Sequence, residues 1–173
     1  MPYSVKANQS QLSDYKSSVL MIGKAIGVAP KLSPVRIGAK HVMSLITINL
    51  VVGNGFTNAT LAAAKVSVKV NNLKTKATAN LATGALTAIG DDTDIIPFKV
   101  ANKSYKAIVV PQAVGEGNLI TVNVDGRNFD LPKTTNFRGF EAGKKYSFNV
   151  TLSRDTSGVN VNITKWEDDG NDN

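Results

Sequence analysis

Chemistry in this chain would have to start from very few side chains. Among 173 residues there is one histidine, His41, and no cysteine. A Ser-His-Asp triad, a zinc site or a histidine general base would each have to be built around His41. No second histidine or thiolate exists to share a metal, so His41 reads as a structural residue within a strand. Asp91, Asp92 and Asp94 are close enough in sequence to ligate a hard cation. Their spacing does not fit an EF-hand, which needs ligands spread over a longer loop and a closing glutamate. They read as a solvated turn. Gly53-Asn54-Gly55 and Gly115-Glu116-Gly117 lack the Gly-Lys-Ser/Thr and the following helix of a phosphate loop, so both read as plain turns. Nothing singles out a carboxylate pair for glycoside hydrolysis among the acids. Trp166 could stack on a sugar, but at the close of the last strand it reads as a core anchor. Asn-x-Ser/Thr sequons start at Asn8, Asn58, Asn102, Asn149 and Asn162. In so Asn-, Ser- and Thr-rich a chain that is close to chance, and two of them fall inside strands. The expectation is a protein that is not an enzyme, with no catalytic residue, cofactor or metal.

The elements that position these residues are strands. Tyr146, Phe148, Val150 and Leu152 alternate with polar neighbours, and Val159, Val161 and Ile163 do the same after a polar break. Such period-two patterning gives each strand one buried and one wet face. The rhythm recurs at Val66/Val68/Val70 and Ile120/Val122/Val124. Asp125-Gly126 between two runs predicts a two-residue hairpin, because both turn positions need positive φ. Further strands are predicted at 35–39, 42–52, 75–81, 95–100 and 105–110, with a face switch near residues 38–41. Asn71-Asn72 reads as a turn, residues 61–64 as a helical turn, and residues 82–94 as loop-rich. The resulting fold class is all-β: an antiparallel sandwich of about seven to nine strands. Its predicted divisions are 1–34, an irregular remnant of a preceding domain or a linker; 35–166, the sandwich; and 167–173, an acidic tail.

Composition agrees with a globular domain: 42% hydrophobic and 19% charged residues leave no case for wholesale disorder. A chain of this length can bury a core without disulfides. The formal net charge is +7, and Glu167, Asp168, Asp169 and Asp172 crowd the tail, so the basic excess falls on residues 1–166. Such an excess could attract nucleic acid, anionic glycans or a membrane surface. The lysines are scattered singly over wet faces, which reads as solubility and protection of sheet edges. Residues 42–52 form the longest apolar run, about half of the roughly 20 residues a membrane helix needs. The first residues lack the basic start and apolar stretch of a signal peptide.

A resemblance sharpens this picture. Its carriers, in order, are His41-Val42-Met43-Ser44, Gly53-x-Gly55-Phe56, Asn80-Leu81-x-Thr83-Gly84, Ala107-Ile108-Val109-Val110-Pro111-Gln112, Phe140-x-Ala142-Gly143-Lys144-Lys145-Tyr146 and Ile163-x-x-Trp166. With these pieces the chain resembles the fimbrillin family, the Mfa-like surface lipoproteins and pilins of anaerobic Gram-negative bacteria. The resemblance implies transthyretin-like or immunoglobulin-like sandwich domains, two per subunit, with this chain covering the C-terminal one. Residues 1–34 then hold the remnant of a preceding domain, Met1-Pro2-Tyr3 resembling one of its strands. Export as a lipoprotein precursor is implied, with the outer membrane reached only through a lipid anchor on the missing N-terminal part. Val19 departs from the family pattern, which often has an acidic residue there. The function implied is a structural, adhesive or accessory subunit of a cell-surface fimbria (pilus). Its partners would be other fimbrial subunits, joined by β-strand addition, with a host or bacterial surface ligand besides and no nucleic acid. The expected strand-exchange segment is Val159, Val161, Ile163 and Trp166. A competing reading is a non-catalytic surface binding module for glycans or polyanions.

Overall fold

Alternation decides where the long strands lie, and backbone pairing decides the rest. A computed structural model describes residues 1–25 and 34–153 in full and residues 158–165 by their backbone. In chain order the elements are β1 (Pro2–Ser4), α1 (Leu12–Ser17), β2 (Met21–Gly23), β3 (Ala39–His41), β4 (Ser44–Val52), α2 (Asn58–Ala63), β5 (Val66–Ala79) and β6 (Leu86–Ile95). They continue with β7 (Phe98–Ala101), β8 (Ser104–Val109), β9 (Gln112–Ala113), β10 (Asn118–Val124), β11 (Arg127–Pro132), β12 (Gly139–Phe140), β13 (Lys144–Leu152) and β14 (Gly158–Lys165).

Two five-stranded sheets make an all-β sandwich. The first has β5 at its centre, paired with β1, β6 and β10, and β10 carries β11; the second runs β14-β13-β4-β8-β7. Val70 of β5 is paired with both Ile95 and Ile120, and Ala77 with both Tyr3 and Ala88. It follows that β10 and β1 share one edge of β5 at its two ends, while β6 runs along the other. Between the sheets lie Val68, Val70, Ile120, Val122, Phe129 and Leu131 on one side and Ile46, Ile48, Leu50, Tyr146, Phe148 and Val150 on the other, all buried. The apolar positions of the period-two runs therefore form the core.

Several details depart from the sequence reading. The pairing of β13 with β4 is parallel, in register from Lys145↔Leu45 to Leu152↔Val52, whereas an antiparallel sandwich was expected throughout. Period two looks the same in either direction, so the sequence pattern carries no sign of this. Asn71-Asn72 is not a turn between strands: β5 runs on through it, with Asn72 at φ 57° and a register shift opposite β6. Residues 82–94 are only partly loop. From Leu86 onward they form β6, whose Gly90 takes φ 85° and whose acids face solvent. Residues 35–38 precede β3 as an exposed segment, not a strand. The Asp125-Gly126 hairpin is present as read, with φ 51° and 88°. The helical turn predicted at 61–64 lies in α2, opened by a capping box between Thr57 and Thr60.

Residues 1–23 do not stand apart as a linker. β1 pairs with Lys76–Thr78 of β5, and Val5 and Tyr15 are buried in the common core. The Tyr15 ring stacks on Phe98 at 5.7 Å. Two apolar anchors among polar residues gave no periodicity to read, and α1 was missed for the same reason.

Candidate functional site: the sheet edges and the C-terminal strand

The outer edge of the second sheet is β14. In the described residues it pairs with β13 alone, in register Val150↔Val159, Phe148↔Val161 and Tyr146↔Ile163. Directly opposed residues of an antiparallel pair share a face. Positions 159, 161 and 163 stand opposite Val150, Phe148 and Tyr146, which are buried. The structure brings these three expected residues together along one strand; Trp166 lies outside the described residues.

The floor beside that strand is aromatic. Phe137 and Phe140 meet Tyr146 edge-on at 5.7 and 5.1 Å and Phe148 at 5.7 and 6.5 Å. Such edge-to-face contacts fix ring orientation as well as burying area. The Tyr146 hydroxyl accepts the Glu141 N–H at 2.8 Å. Burial raises the Tyr146 pKa, opposed by the Glu141 backbone hydrogen bond and reinforced by the Glu141 charge. The turn before β13 is tied to β4, since the Ser44 hydroxyl donates to the Glu141 carbonyl at 2.7 Å and Gly143 N–H to Met43 at 3.0 Å.

Two gaps at other edges are closed by side chains. β7 pairs with β8 only as far as Lys106, which leaves Ile108, opposite Leu45 of β4 on one side, without a strand partner on the other. The fully buried Gln9 supplies one: its Nε2 donates to Ile108 O at 2.7 Å and its Oε1 accepts Ile108 N–H at 2.8 Å. On β5, β10 ends opposite Val70 and β1 begins opposite Lys76. Between them the Gln112 amide accepts Lys74 N–H and donates to Lys74 O, both at 2.9 Å. A primary amide carries the same donor and acceptor as a peptide group, so each glutamine acts as one residue of a missing strand. In the sequence Gln112 stands only as the end of the run Ala107–Gln112, and Gln9 belongs to no motif. A buried glutamine carries no periodic signal that would have exposed either role.

The residues first weighed for chemistry are dispersed. His41 is half-buried in β3, paired with Met21. Asp92 and Asp94 sit exposed on β6, bridged to Lys74 at 3.2 Å and to Lys69 at 3.5 Å. Gly53-Asn54-Gly55 turns the chain from β4 toward the six-residue α2, and Gly115 to Gly117 lie in an exposed loop before β10. Among the described residues, no group of three or more His, Cys, Asp or Glu side chains could hold a metal ion.

A model of the fimbrillin-like family matches residues 1–166. The chain belongs to that family. A provisionally named fimbrium subunit of Bacteroides uniformis, Fim1C, is 30% identical over 121 residues, which is 66% of this chain and 39% of that protein. Among solved structures, a provisionally assigned cell adhesion protein of Bacteroides uniformis superposes with a TM-score of 0.66 at 25% identity, over 77% of this chain and 54% of that one. A second such protein, from Bacteroides ovatus, gives 0.77 at 19% identity over 96% and 60%. That likeness shows the fold. The chain thus spans between two fifths and three fifths of the length of these relatives. The fimbrillin-like family consists of structural and adhesion proteins, not enzymes. No helix among the described residues is long and apolar enough to cross a membrane.

Proposed function

We propose that this fimbrillin-like chain is a structural, adhesive or accessory subunit of a cell-surface fimbria, joined to neighbouring subunits by β-strand addition. The exchanged segment is residues 159–166, in which Val159, Val161, Ile163 and Trp166 are the apolar residues. The observation that carries the reading is the position of β14: outermost in its sheet and paired, among the described residues, with β13 alone, the strand that carries buried Tyr146 and Phe148. A strand from another subunit would find there the same backbone ladder and the same apolar row. The other gaps are already filled by Gln9 and Gln112, which leaves little for a foreign strand to gain. In the whole protein a lipid anchor outside this domain holds the subunit to the outer membrane. Other fimbrial subunits are the partners, and the surplus positive charge serves solubility.

The test is to remove β14 and return it in trans. A chain ending at Leu152 is refolded with and without a labelled peptide of residues 157–166, and binding is read by fluorescence anisotropy. The expected result is saturable binding that a Val161→Asp peptide loses. If the shortened chain folds and ignores the peptide, or stays aggregated whether the peptide is present or absent, strand addition through β14 is wrong.

A further inference from the structure

The outer face of the first sheet carries a concavity of about 360 Å³ lined entirely by hydrogen-bonding side chains, with no aromatic or aliphatic one among them. They come from four strands. The register sets Asn128, Asn123 and Ser67 in one row across β11, β10 and β5, and Asp130, Thr121 and Lys69 in the next. Asn71 and Asp94 close one end. Rows on a sheet are fixed by the backbone, so this grid is preorganised: neighbours stand about 4.8 Å apart across strands and about 7 Å apart along them. The former is on the scale of a pyranose ring.

The side chains brace one another. Asn71 Nδ2 donates to Thr121 Oγ1 at 2.8 Å, Thr121 Oγ1 donates to Asp130 Oδ1 at 2.7 Å, and Asn123 Nδ2 donates to Asn128 Oδ1 at 2.6 Å. That bracing leaves one half of several planar groups unused. Among the described residues the Ser67 hydroxyl, Asn71 Oδ1, Asn128 Nδ2 and Asp130 Oδ2 make no hydrogen bond within the protein. Acceptors and donors thus alternate over a short span, as vicinal hydroxyls require.

We infer that this face is a binding site for neutral glycans, engaged through the free edges of Asn71, Asn128 and Asp130 and the Ser67 hydroxyl. The charge decides against a polyanion: one cation, Lys69, lines the groove against two carboxylates, Asp94 and Asp130, and Lys69 is already bridged to Asp94. The absence of an apolar wall decides against a peptide or a lipid, which need apolar area to bind. With no ring to stack on, single-site affinity is weak, and useful adhesion comes from repetition along an assembly. Only that last step rests on the proposed function; the site itself exists on one chain.

The experiment is therefore monovalent. ¹⁵N spectra of the chain are titrated with methyl glycosides of glucose, galactose, mannose and fucose into the tens of millimolar. The reporters are the side-chain amides of Asn71, Asn123 and Asn128. At least one glycoside should shift these amides, and Asp130→Ala and Asn128→Ala should each weaken its binding by about tenfold, the effect of one good polar contact. Both positions are exposed, so the variants should keep the parent spectrum elsewhere. Asn149→Ala, on the other sheet, serves as the control and should bind as the parent does. The inference is overturned if no glycoside moves these amides, if both variants bind unchanged, or if a heparin tetrasaccharide moves them where the glycosides do not. Assembly through β14 is unaffected by any of these outcomes, so the two ideas fail separately.

Discussion

Replacing Gln9 with alanine removes both partners of the Ile108 peptide groups at once. Each buried group left unpaired costs about 1–3 kcal/mol, so Gln9→Ala should lower the unfolding free energy by about 3 kcal/mol in urea titrations. Gln112→Ala should have a smaller effect, about 1–2 kcal/mol, because Gln112 is half-buried and water can reach Lys74. The tyrosines give a second expectation at this scale. Burial raises the pKa of Tyr3, Tyr105 and Tyr146 above the ordinary phenol value of 10.0. A raised folded-state pKa stabilises the protein below pH 10 and loses that contribution as pH climbs through the folded value. Alkaline titration should therefore show phenolate absorbance rising together with loss of near-UV dichroism, above pH 10. Tyr146→Phe deletes the acceptor for Glu141 N–H and should cost about 1 kcal/mol near neutrality. His41 reads as structural because the sequence holds no second histidine or cysteine to share a metal with it. Gln9 was not legible, since its worth depends on a strand ending nearly a hundred positions away.

Among elements, the close contact between β9 and β12 makes the sharpest demand. A Cβ on Gly139 would collide with the Gln112 carbonyl oxygen and come within 2.8 Å of Ala113 Cα. Gly139→Ala should thus cost about 2 kcal/mol and loosen the amide of Gln112 from Lys74, visible as faster exchange of the Lys74 N–H. Long strands with one face in the core were easy to read: β5, β10 and β13 show their period directly in Val66/Val68/Val70, Ile120/Val122/Val124 and Tyr146/Phe148/Val150. β6 was hard to read because only its ends, at Leu86, Ala88 and Ile95, touch the core. Its middle, Gly90 to Asp94, is exposed, and there backbone pairing outweighs strand propensity. β1, α1 and the docking of residues 1–23 are held by a ladder, two anchors and a glutamine, none of which leaves a periodic trace. The exchange segment rests in the sequence on its alternation alone.

For the whole molecule, topology governs how the fold is reached and used. β4 and β13 are parallel neighbours, and Asn49 bonds Asn149 across them at 3.3 Å, 100 positions apart in sequence. Closing such a loop precedes the contacts that reward it, so folding should take milliseconds to seconds, as stopped-flow fluorescence would record. The last pairing in the chain, β13 with β14, joins strands adjacent in sequence. In the proposed assembly that last pairing is made between subunits instead of within one. The absence of cysteine makes the idea directly measurable. Asn149 and Asn160 are opposed across β13 and β14, and opposed residues of such a ladder have Cα atoms about 4.5–5.5 Å apart, within disulfide range. Chains carrying Asn149→Cys alone and Asn160→Cys alone are mixed, refolded together and oxidised. Strand exchange predicts a disulfide-linked heterodimer that forms only in the mixture. Two unlinked monomers, with the double variant closing its disulfide inside a single chain, would contradict it.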